Sequence, residues 1–139
     1  MLQKVVTDAN IIFASLHTAN SQTRRKLLTA SFRFVSPNFI FEEIFDHKER
    51  IFKNAKATPA EIKEYLHKIL QKIYFYNEEL ISTGNFFEAY HLCKDVDLDD
   101  LVYVALSLEL NAPLWTRDET LKAGLRAKGF DNFFDENYL

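Results

Sequence analysis

The sequence predicts an α/β protein in which helices cover both faces of a short, mostly parallel sheet. Short β-branched or aromatic runs recur along the 139 residues, and longer stretches with helical spacing separate them. Strands that alternate with helices favour parallel pairing, because each return to the same sheet edge needs a crossover. With three Gly and three Pro, long linkers are not expected. We therefore predict one domain over residues 1–139, a three-layer α/β/α sandwich with four to five strands.

The first thirty residues are expected to form one strand and two helices. Residues 4–7 (Lys-Val-Val-Thr) are largely β-branched and end at Asp8, which is typical of a short buried strand. Residues 10–16 are apolar enough for a first helix. Residues 23–30 are expected to form a second, with its basic side chains exposed.

A second strand and a long helix are expected next. Residues 32–35 read Phe-Arg-Phe-Val and are closed by Ser36 and Pro37. Either Ser36 or Asn38 is expected to cap the helix that follows, since both residue types accept from free amides there. The side chains predicted to form its one buried face are Phe41, Ile44, Phe45, Ile51 and Phe52.

The middle of the chain contains the clearest helix start. Thr58 is the expected cap, Pro59 suits the first helical position, and Glu61 completes a capping box. The helix is expected to run to about Leu70. Residues 73–76 (Ile-Tyr-Phe-Tyr) then predict a third strand.

The last third of the chain is expected to hold three helices and two strands. The helices are predicted at residues 85–93, from residue 97 onwards, and at residues 120–128. The second of these is apolar on most sides and is therefore expected to be deeply buried. Gly129 suits the end of the third. The strands are predicted at residues 113–116 and, as an edge strand, at 130–134.

Composition excludes several classes of protein. The net charge of −3 argues against a protein that coats nucleic acid, although bound cations can offset carboxylates in a metal-dependent nuclease. Cys93 is the single cysteine, which excludes an intramolecular disulfide and suits a reducing compartment. No stretch approaches the roughly 20 apolar residues of a membrane span, and no signal peptide is recognised. We expect a cytoplasmic protein without zinc, P-loop, dinucleotide or serine-hydrolase motifs.

Two aspartates follow predicted strands. Asp8 ends the first strand, and Asp118 follows the fourth after Thr116. Because active sites in parallel sheets form at the carboxyl ends of strands, both carboxylates are candidates for binding Mg²⁺ or Mn²⁺. Asn10 and Thr116 are candidates to orient them through hydrogen bonds. The alternative for each aspartate is a helix N-cap, and both interpretations stay open.

Acidic residues at two predicted helix starts are further candidates. Glu42 and Glu43 lie in the first turns of one helix, where favourable interaction with the helix dipole is the alternative explanation. We prefer Glu43, which lies nearer the apolar face. The second group is Asp95, Asp97, Asp99 and Asp100. Asp100 enters the apolar helix and is the preferred ligand, whereas a solvated, capped turn is the alternative.

In order and spacing, these motifs resemble the PIN-domain family of metal-dependent ribonucleases, over nearly the whole chain. The matching segments are Val5-Val6-Thr7-Asp8-Ala9-Asn10, Ser36-Pro37 with Glu42-Glu43-Ile44, Asp97-Leu98-Asp99-Asp100 with Val104-Ala105-Leu106-Ser107, and Leu114-Trp115-Thr116-Arg117-Asp118. The resemblance implies a PIN-like fold and an acidic site of Asp8, Glu43, Asp100 and Asp118. Asn10 and Thr116 match polar support positions, and Asp97 matches an additional acidic position. Tyr103 departs from the family pattern, which has a small residue there.

The resemblance also implies a function. Mg²⁺ or Mn²⁺ would activate a water for attack on an RNA phosphodiester. Family members include toxins of the VapC type, so an antitoxin partner and a homodimer are expected. The candidates for phosphate contacts are Arg24, Arg25, Lys26, Lys48, Arg50 and Lys53, although each is also consistent with a solvated helix face. Two alternatives are a PIN-like module that binds RNA or protein without cutting, and a haloacid-dehalogenase-type phosphatase, which Asn10 disfavours because that chemistry needs an aspartate there.

Overall fold

The computed structural model describes residues 2–17 and 21–139, which form a four-stranded parallel sheet with helices around it. The strands are β1 (Lys4–Thr7), β2 (Arg33–Pro37), β3 (Ile73–Tyr76) and β4 (Leu114–Trp115). The helices are α1 (Ala9–Ser15), α2 (Gln22–Thr29), α3 (Ile40–Asp46), α4 (Lys48–Asn54), α5 (Pro59–Lys72), α6 (Thr83–Cys93), α7 (Leu101–Leu110) and α8 (Glu119–Ala127). Short 3₁₀ turns occupy Glu78–Leu80, Leu98–Asp100 and Glu136–Tyr138.

The strand order is β3–β2–β1–β4, so β1 lies in the interior of the sheet. Val5 and Val6 of β1 have no exposed surface, as expected for a parallel strand covered on both faces. Helix α7 packs on β1, β2 and β4 with α6 behind it, while α1, α2 and α5 pack together. The predicted α/β/α arrangement is therefore confirmed. Within the described ranges, no helix is long and apolar enough to cross a membrane.

The capping box that begins α5 is confirmed. Thr58 Oγ1 accepts from the Glu61 amide at 3.2 Å, and Glu61 Oε1 accepts from the Thr58 amide at 3.0 Å. Pro59 is the first residue of the helix. This local signal needs no tertiary contact, which explains why it could be recognised in the sequence.

The long helix predicted after the second strand is wrong in two respects. The chain leaves helical geometry at His47, with ψ near 8°, and so forms two short helices, α3 and α4. Three of the aromatic side chains expected inside are exposed: Phe41, Phe45 and Phe52. Phe41 packs against the Phe75 ring at 4.6 Å instead of entering the core.

The expected caps of that helix are also replaced. The residue at the cap position of α3 is Phe39, whose side chain caps nothing, and its amide donates to Glu78 Oε2 at 3.4 Å. Ser36 Oγ donates to the Thr7 carbonyl at 2.6 Å and so ties β2 to β1. The acceptor at the start of α3 is therefore Glu78, which lies 39 residues after Phe39 in the sequence, and not Ser36 or Asn38 as expected.

The predicted fifth strand is reduced to a single bridge. Phe133 pairs in parallel with Leu114, whose amide donates to the Asn132 carbonyl at 2.9 Å. The Phe134 amide donates in turn to the Leu114 carbonyl at 2.9 Å. Because β4 is only two residues long, it offers no further partners, and the segment lies along the β4 edge without extending as a strand.

Candidate active site

The carboxyl ends of β1 and β4 lie side by side. Thr7 is paired with Trp115 in the sheet, and the Asp8 amide reaches the Trp115 carbonyl at 3.4 Å. The next residues of the two strands, Asp8 and Thr116, therefore leave the same edge of the sheet together. This parallel register is what brings residues more than 100 positions apart to one place.

Asp8 is a buried carboxylate, with 4% of its surface exposed. Its Oδ1 accepts from the Ile11 amide at 3.1 Å and so caps α1, and the Thr116 hydroxyl also donates to it. Burial raises the pKa of Asp8 to about 6, and these two hydrogen bonds oppose the rise. Capping uses one oxygen of Asp8 and does not explain why the second is kept out of water.

Asp118 has an equivalent relationship to α8. Its Oδ1 accepts from the Leu121 amide at 3.0 Å, and its own amide donates to Thr116 Oγ1 at 3.2 Å. Thr116 thus contacts both aspartates, and it is itself buried. The two interpretations of Asp118, cap and site residue, are compatible, because the cap occupies Oδ1 and not Oδ2.

Asp100 joins the same group of carboxylates from the turn before α7. It is the last residue of the 3₁₀ turn Leu98–Asp100, immediately before α7. Its pKa is raised to about 7, first by burial and then by the negative charges of Asp97, Asp8, Asp118 and Glu43. Asp100 is therefore within electrostatic range of every other predicted acidic site residue, and neighbouring Asp99 is exposed.

Glu43 completes the group from α3. It is partly buried, whereas Glu42 is exposed. Burial raises the pKa of Glu43, while a hydrogen bond from Tyr103 opposes the rise. The Tyr103 hydroxyl lies 2.5 Å from Glu43 Oε1. The bulky residue that departs from the family pattern thus holds one of the carboxylates, a role that sequence reasoning missed.

The two remaining candidates, Asp97 and Asn10, lie at the exposed periphery of the site. Asp97 is exposed, and its Oδ1 accepts from the Asp99 amide at 2.9 Å, capping the turn that presents Asp100. Asn10 is exposed on α1 and lines a cleft with Arg50. Asp8 takes its hydrogen bonds from Ile11 and Thr116, so the geometry places Asn10 beside the site and not against its carboxylate.

Three of the six predicted phosphate-binding residues have contacts of their own: Arg24, Lys48 and Lys26, whose Nζ donates to Glu136 Oε1 at 3.1 Å. Arg24 donates to the carbonyls of Ser15 and His17 at 3.1 and 2.6 Å and lies 3.7 Å from the Tyr65 ring centre. Lys48 Nζ lies 4.1 Å above the Phe45 ring. Arg25 is exposed on α2.

The residues present fit a hard divalent cation by their chemistry. Carboxylate oxygens are the ligands that Mg²⁺ and Mn²⁺ take, and charges held this close repel one another until a cation neutralises them. Across residues 2–17 and 21–139, no group of three His, Cys, Asp or Glu side chains is already arranged to hold an ion. One oxygen each of Asp8, Asp118 and Glu43 is engaged by a helix cap or by Tyr103.

One acidic residue that the sequence did not single out organises the segment between Thr116 and Asp118. Glu136 accepts two parallel hydrogen bonds from Arg117, each 2.9 Å long, one from Trp115 Nε1 at 3.0 Å and one from Lys26 Nζ at 3.1 Å. These bonds, led by those from Arg117, lower its pKa to about 2. Residues 115 and 117 are therefore fixed on either side of Thr116.

Fold and site together define an α/β/α protein with an acidic site at the carboxyl edge of a parallel sheet. The family model described as the PIN domain matches residues 6–135. The chain therefore belongs to the PIN-domain family, whose members are generally nucleases, and the resemblance read from the motifs is confirmed. No curated protein matches the chain by sequence.

Proposed function

We propose that this chain is a metal-dependent endoribonuclease whose site comprises Asp8, Glu43, Asp100 and Asp118. One observation carries the proposal: the pKa of Asp100 is raised to about 7, first by burial and then by negative charges that include those of the other three carboxylates. Four like charges gathered at one sheet edge are unfavourable in the absence of a cation. Membership of the PIN-domain family supports nuclease chemistry at that edge.

The cofactor in this proposal is Mg²⁺ or Mn²⁺, which supplies charge to lower the pKa of a bound water and to stabilise the transition state and leaving oxygen. The chain's own residues set the conditions. The raised pKa values of Asp8 (about 6) and Asp100 (about 7) mean that ion binding below about pH 7 is coupled to proton release, chiefly from Asp100. Thr116 orients Asp8 and the Asp118 backbone, and Tyr103 orients Glu43. Asp97, at the periphery of the site, caps the turn that presents Asp100.

The biological setting is part of the proposal. An RNA substrate and a cytoplasmic location suit an acidic chain with one cysteine, Cys93, because the ion offsets the charge at the site. We propose a single nuclease domain acting as a toxin paired with an antitoxin, and a homodimer, on the strength of the family resemblance. Exposed aromatic side chains at Phe41, Phe45 and Phe87 offer surface for such partners.

A second candidate is a PIN-like module that binds RNA or protein without cutting. The observation that favours it is the arrangement of the carboxylates, none of which stands in a three-ligand group within the described ranges. Glu43 in particular is already engaged by Tyr103. A cutting enzyme must reorganise these side chains on binding the ion, whereas a binding module need not.

The test is cleavage of a structured RNA by the purified protein with Mn²⁺, Mg²⁺ or EDTA. Asp100→Asn removes one site charge and keeps the shape of the side chain. Asp95→Asn is the matched control, since Asp95 lies five residues away, is exposed, and pairs with Lys128 at 2.9 Å. We expect metal-dependent cutting that Asp100→Asn or Asp8→Asn abolishes and Asp95→Asn retains.

If no cutting is seen, calorimetry shows whether the protein binds Mn²⁺ and so distinguishes the remaining explanations. Neither cutting nor metal binding would favour the binding module. Metal binding without cutting would point to a narrow substrate or a missing partner. Equal cutting by wild type, Asp8→Asn and Asp100→Asn would sink the assignment of the site.

A further inference from the structure

A polar cleft opens between α1 and α4. It encloses about 240 Å³ and is lined by Asn10, Phe13, Ala14, His17, Arg50, Ile51, Asn54 and Ala55. Asparagine amides and an arginine guanidinium supply hydrogen-bond donors, and Phe13 supplies an apolar wall. Apart from Asn10, none of these polar groups belongs to the candidate acidic site, so their collection in one cleft needs its own explanation.

The cleft adjoins the acidic site through two connections. Asp8 caps α1, and Asn10 is the second residue of that helix. On the other side, the His47 ring meets the Phe13 ring edge-on with centres 5.7 Å apart. His47 lies one helical turn beyond Glu43, to whose carbonyl its amide donates at 3.0 Å. An RNA strand that extends from the carboxylates along α1 and past His47 would reach the cleft.

Arg50 gives the cleft its charge. It is exposed, and within residues 2–17 and 21–139 it forms no ion pair with a carboxylate. Several other basic side chains are engaged: Lys26 and Arg117 bind Glu136, and Lys128 binds Asp95. Arg50 is the one lysine or arginine among the residues that line the cleft, so an anion bound there would meet its guanidinium.

The chemistry of the cleft matches a phosphodiester. A guanidinium binds phosphate oxygens through paired hydrogen bonds, and amides from Asn10 and Asn54 add neutral donors. A polyanion also needs local positive charge near an acidic site, because the carboxylates otherwise repel the flanking phosphates. We propose that the α1–α4 cleft, through Arg50, binds an RNA backbone phosphate next to the bond that is cut. This inference rests on the proposed nuclease function.

The experiment measures the affinity of a short, fluorescently labelled single-stranded RNA by anisotropy over a range of salt concentrations. All proteins carry Asp100→Asn and Mg²⁺ is present, and a gel confirms that the RNA stays intact. Arg50→Gln is compared with Arg50→Lys, which keeps the charge. Arg33→Gln is the matched control. Arg33 is also exposed, but it is the first residue of β2 and so lies at the amino-terminal end of that strand, away from the carboxyl ends where the acidic site is found.

We expect Arg50→Gln to weaken binding and to make the slope of log K against log salt shallower by about 0.7, the value for one phosphate contact with single-stranded RNA. Arg50→Lys should keep the slope, and Arg33→Gln should change neither quantity. An unchanged slope in Arg50→Gln, or equal losses in Arg50→Gln and Arg33→Gln, would overturn the subsite alone. If the parent protein binds no RNA, the proposed function and the subsite fall together.

Discussion

The Tyr103 hydroxyl donates a 2.5 Å hydrogen bond to Glu43 Oε1 and thereby joins α7 to α3 beside the acidic site. The bond favours the charged form of Glu43, against the burial that raises its pKa. Tyr103 is also almost fully buried, so water competes little for its hydroxyl. Position 103 thus influences the pKa of a candidate site residue, Glu43, that it does not neighbour in sequence.

Tyr103→Phe is predicted to raise the pKa of Glu43 further, since it removes a bond that lowers that pKa. The acid limb of a pH–rate profile for RNA cleavage should move to higher pH, and stability should fall by about 1–2 kcal/mol. Tyr90→Phe, on the exposed face of α6, is the control. A pH–rate profile of Tyr103→Phe that superimposes on that of wild type would exclude an effect of Tyr103 on the pKa of Glu43.

The metal-free protein is predicted to lose stability as pH rises from about 4 to about 7. Asp8 and Asp100 have folded-state pKa values of about 6 and 7, above the ordinary 3.8. A carboxylate whose pKa is raised on folding contributes stability fully below its unfolded pKa, and that contribution is lost as pH rises through the folded value. Thermal unfolding in EDTA should therefore give a lower Tm at pH 8 than at pH 5.

Asp100→Asn provides the check on this pH dependence. It removes the ionisable group, so the fall in Tm between pH 5 and pH 8 should become shallower. At pH 8 the variant should be more stable than wild type by about 1–3 kcal/mol, after allowance for the part of the side chain that remains in water. Adding Mn²⁺ should raise the Tm of wild type more than that of the variant. Parallel Tm curves for the two proteins would contradict the assignment.

Asp118 is predicted to have separable structural and chemical roles. Asp118→Asn keeps an oxygen that can cap α8, whereas Asp118→Ala removes it and should cost about 1 kcal/mol of stability. Both substitutions remove the charge, and both should abolish cleavage. Urea unfolding and RNA cleavage on the same preparations distinguish the roles. Full activity in Asp118→Asn would assign Asp118 to the cap alone.

Glu136→Gln is predicted to loosen the segment that holds Thr116. The amide nitrogen of glutamine would face donors from Arg117, Trp115 or Lys26, so the loss should be about 1–3 kcal/mol. Activity should fall as well, through displacement of Thr116. Asp95→Asn, which breaks an exposed ion pair with Lys128, should cost less than about 1 kcal/mol. Equal urea midpoints for Glu136→Gln and Asp95→Asn would contradict the larger loss of stability predicted for Glu136→Gln.

Gly124 and Gly84 are predicted to respond in opposite directions to alanine. A Cβ at Gly124 would lie 2.7 Å from Val96 Cγ1, so either the Val96 side chain or α8 must shift. A Cβ at Gly84 in α6 would meet nothing within 4 Å. Gly84→Ala should stabilise the protein by about 0.5–1 kcal/mol, and Gly124→Ala should destabilise it by about 1–2 kcal/mol. Restored stability in Gly124→Ala with Val96→Ala would identify the contact responsible.

Local signals explain what could be predicted from the sequence. The capping box at Thr58 and the strand pattern at Lys4–Thr7 depend on neighbours in the chain, and both are present. The order of strands and helices sufficed to place Asp8 and Asp118 at one sheet edge. The preference for Asp100 over Asp99 and for Glu43 over Glu42 came from nearness to apolar positions, and the more buried member of each pair is indeed the preferred one.

Long-range contacts explain what could not be predicted. Nothing in the neighbourhood of Glu136 indicates that Arg117 and Lys26 will meet there, because they lie 19 and 110 residues away. The helix break at His47 was hidden by helical spacing on both sides of it. Tyr103 was noticed as a departure, but its role depends on Glu43, which lies 60 residues earlier.

The bridge from Leu114 to Phe133 has a consequence for the behaviour of concentrated protein. The outer side of β4 is occupied by the chain's own segment at residues 132–134, while β3 ends the sheet on the other side. An additional strand from another molecule can therefore extend the sheet at β3, where Tyr74 is exposed, and finds the opposite edge taken. Aggregation by strand addition would then proceed in one direction, and a charged residue placed on β3 is the substitution that would block it.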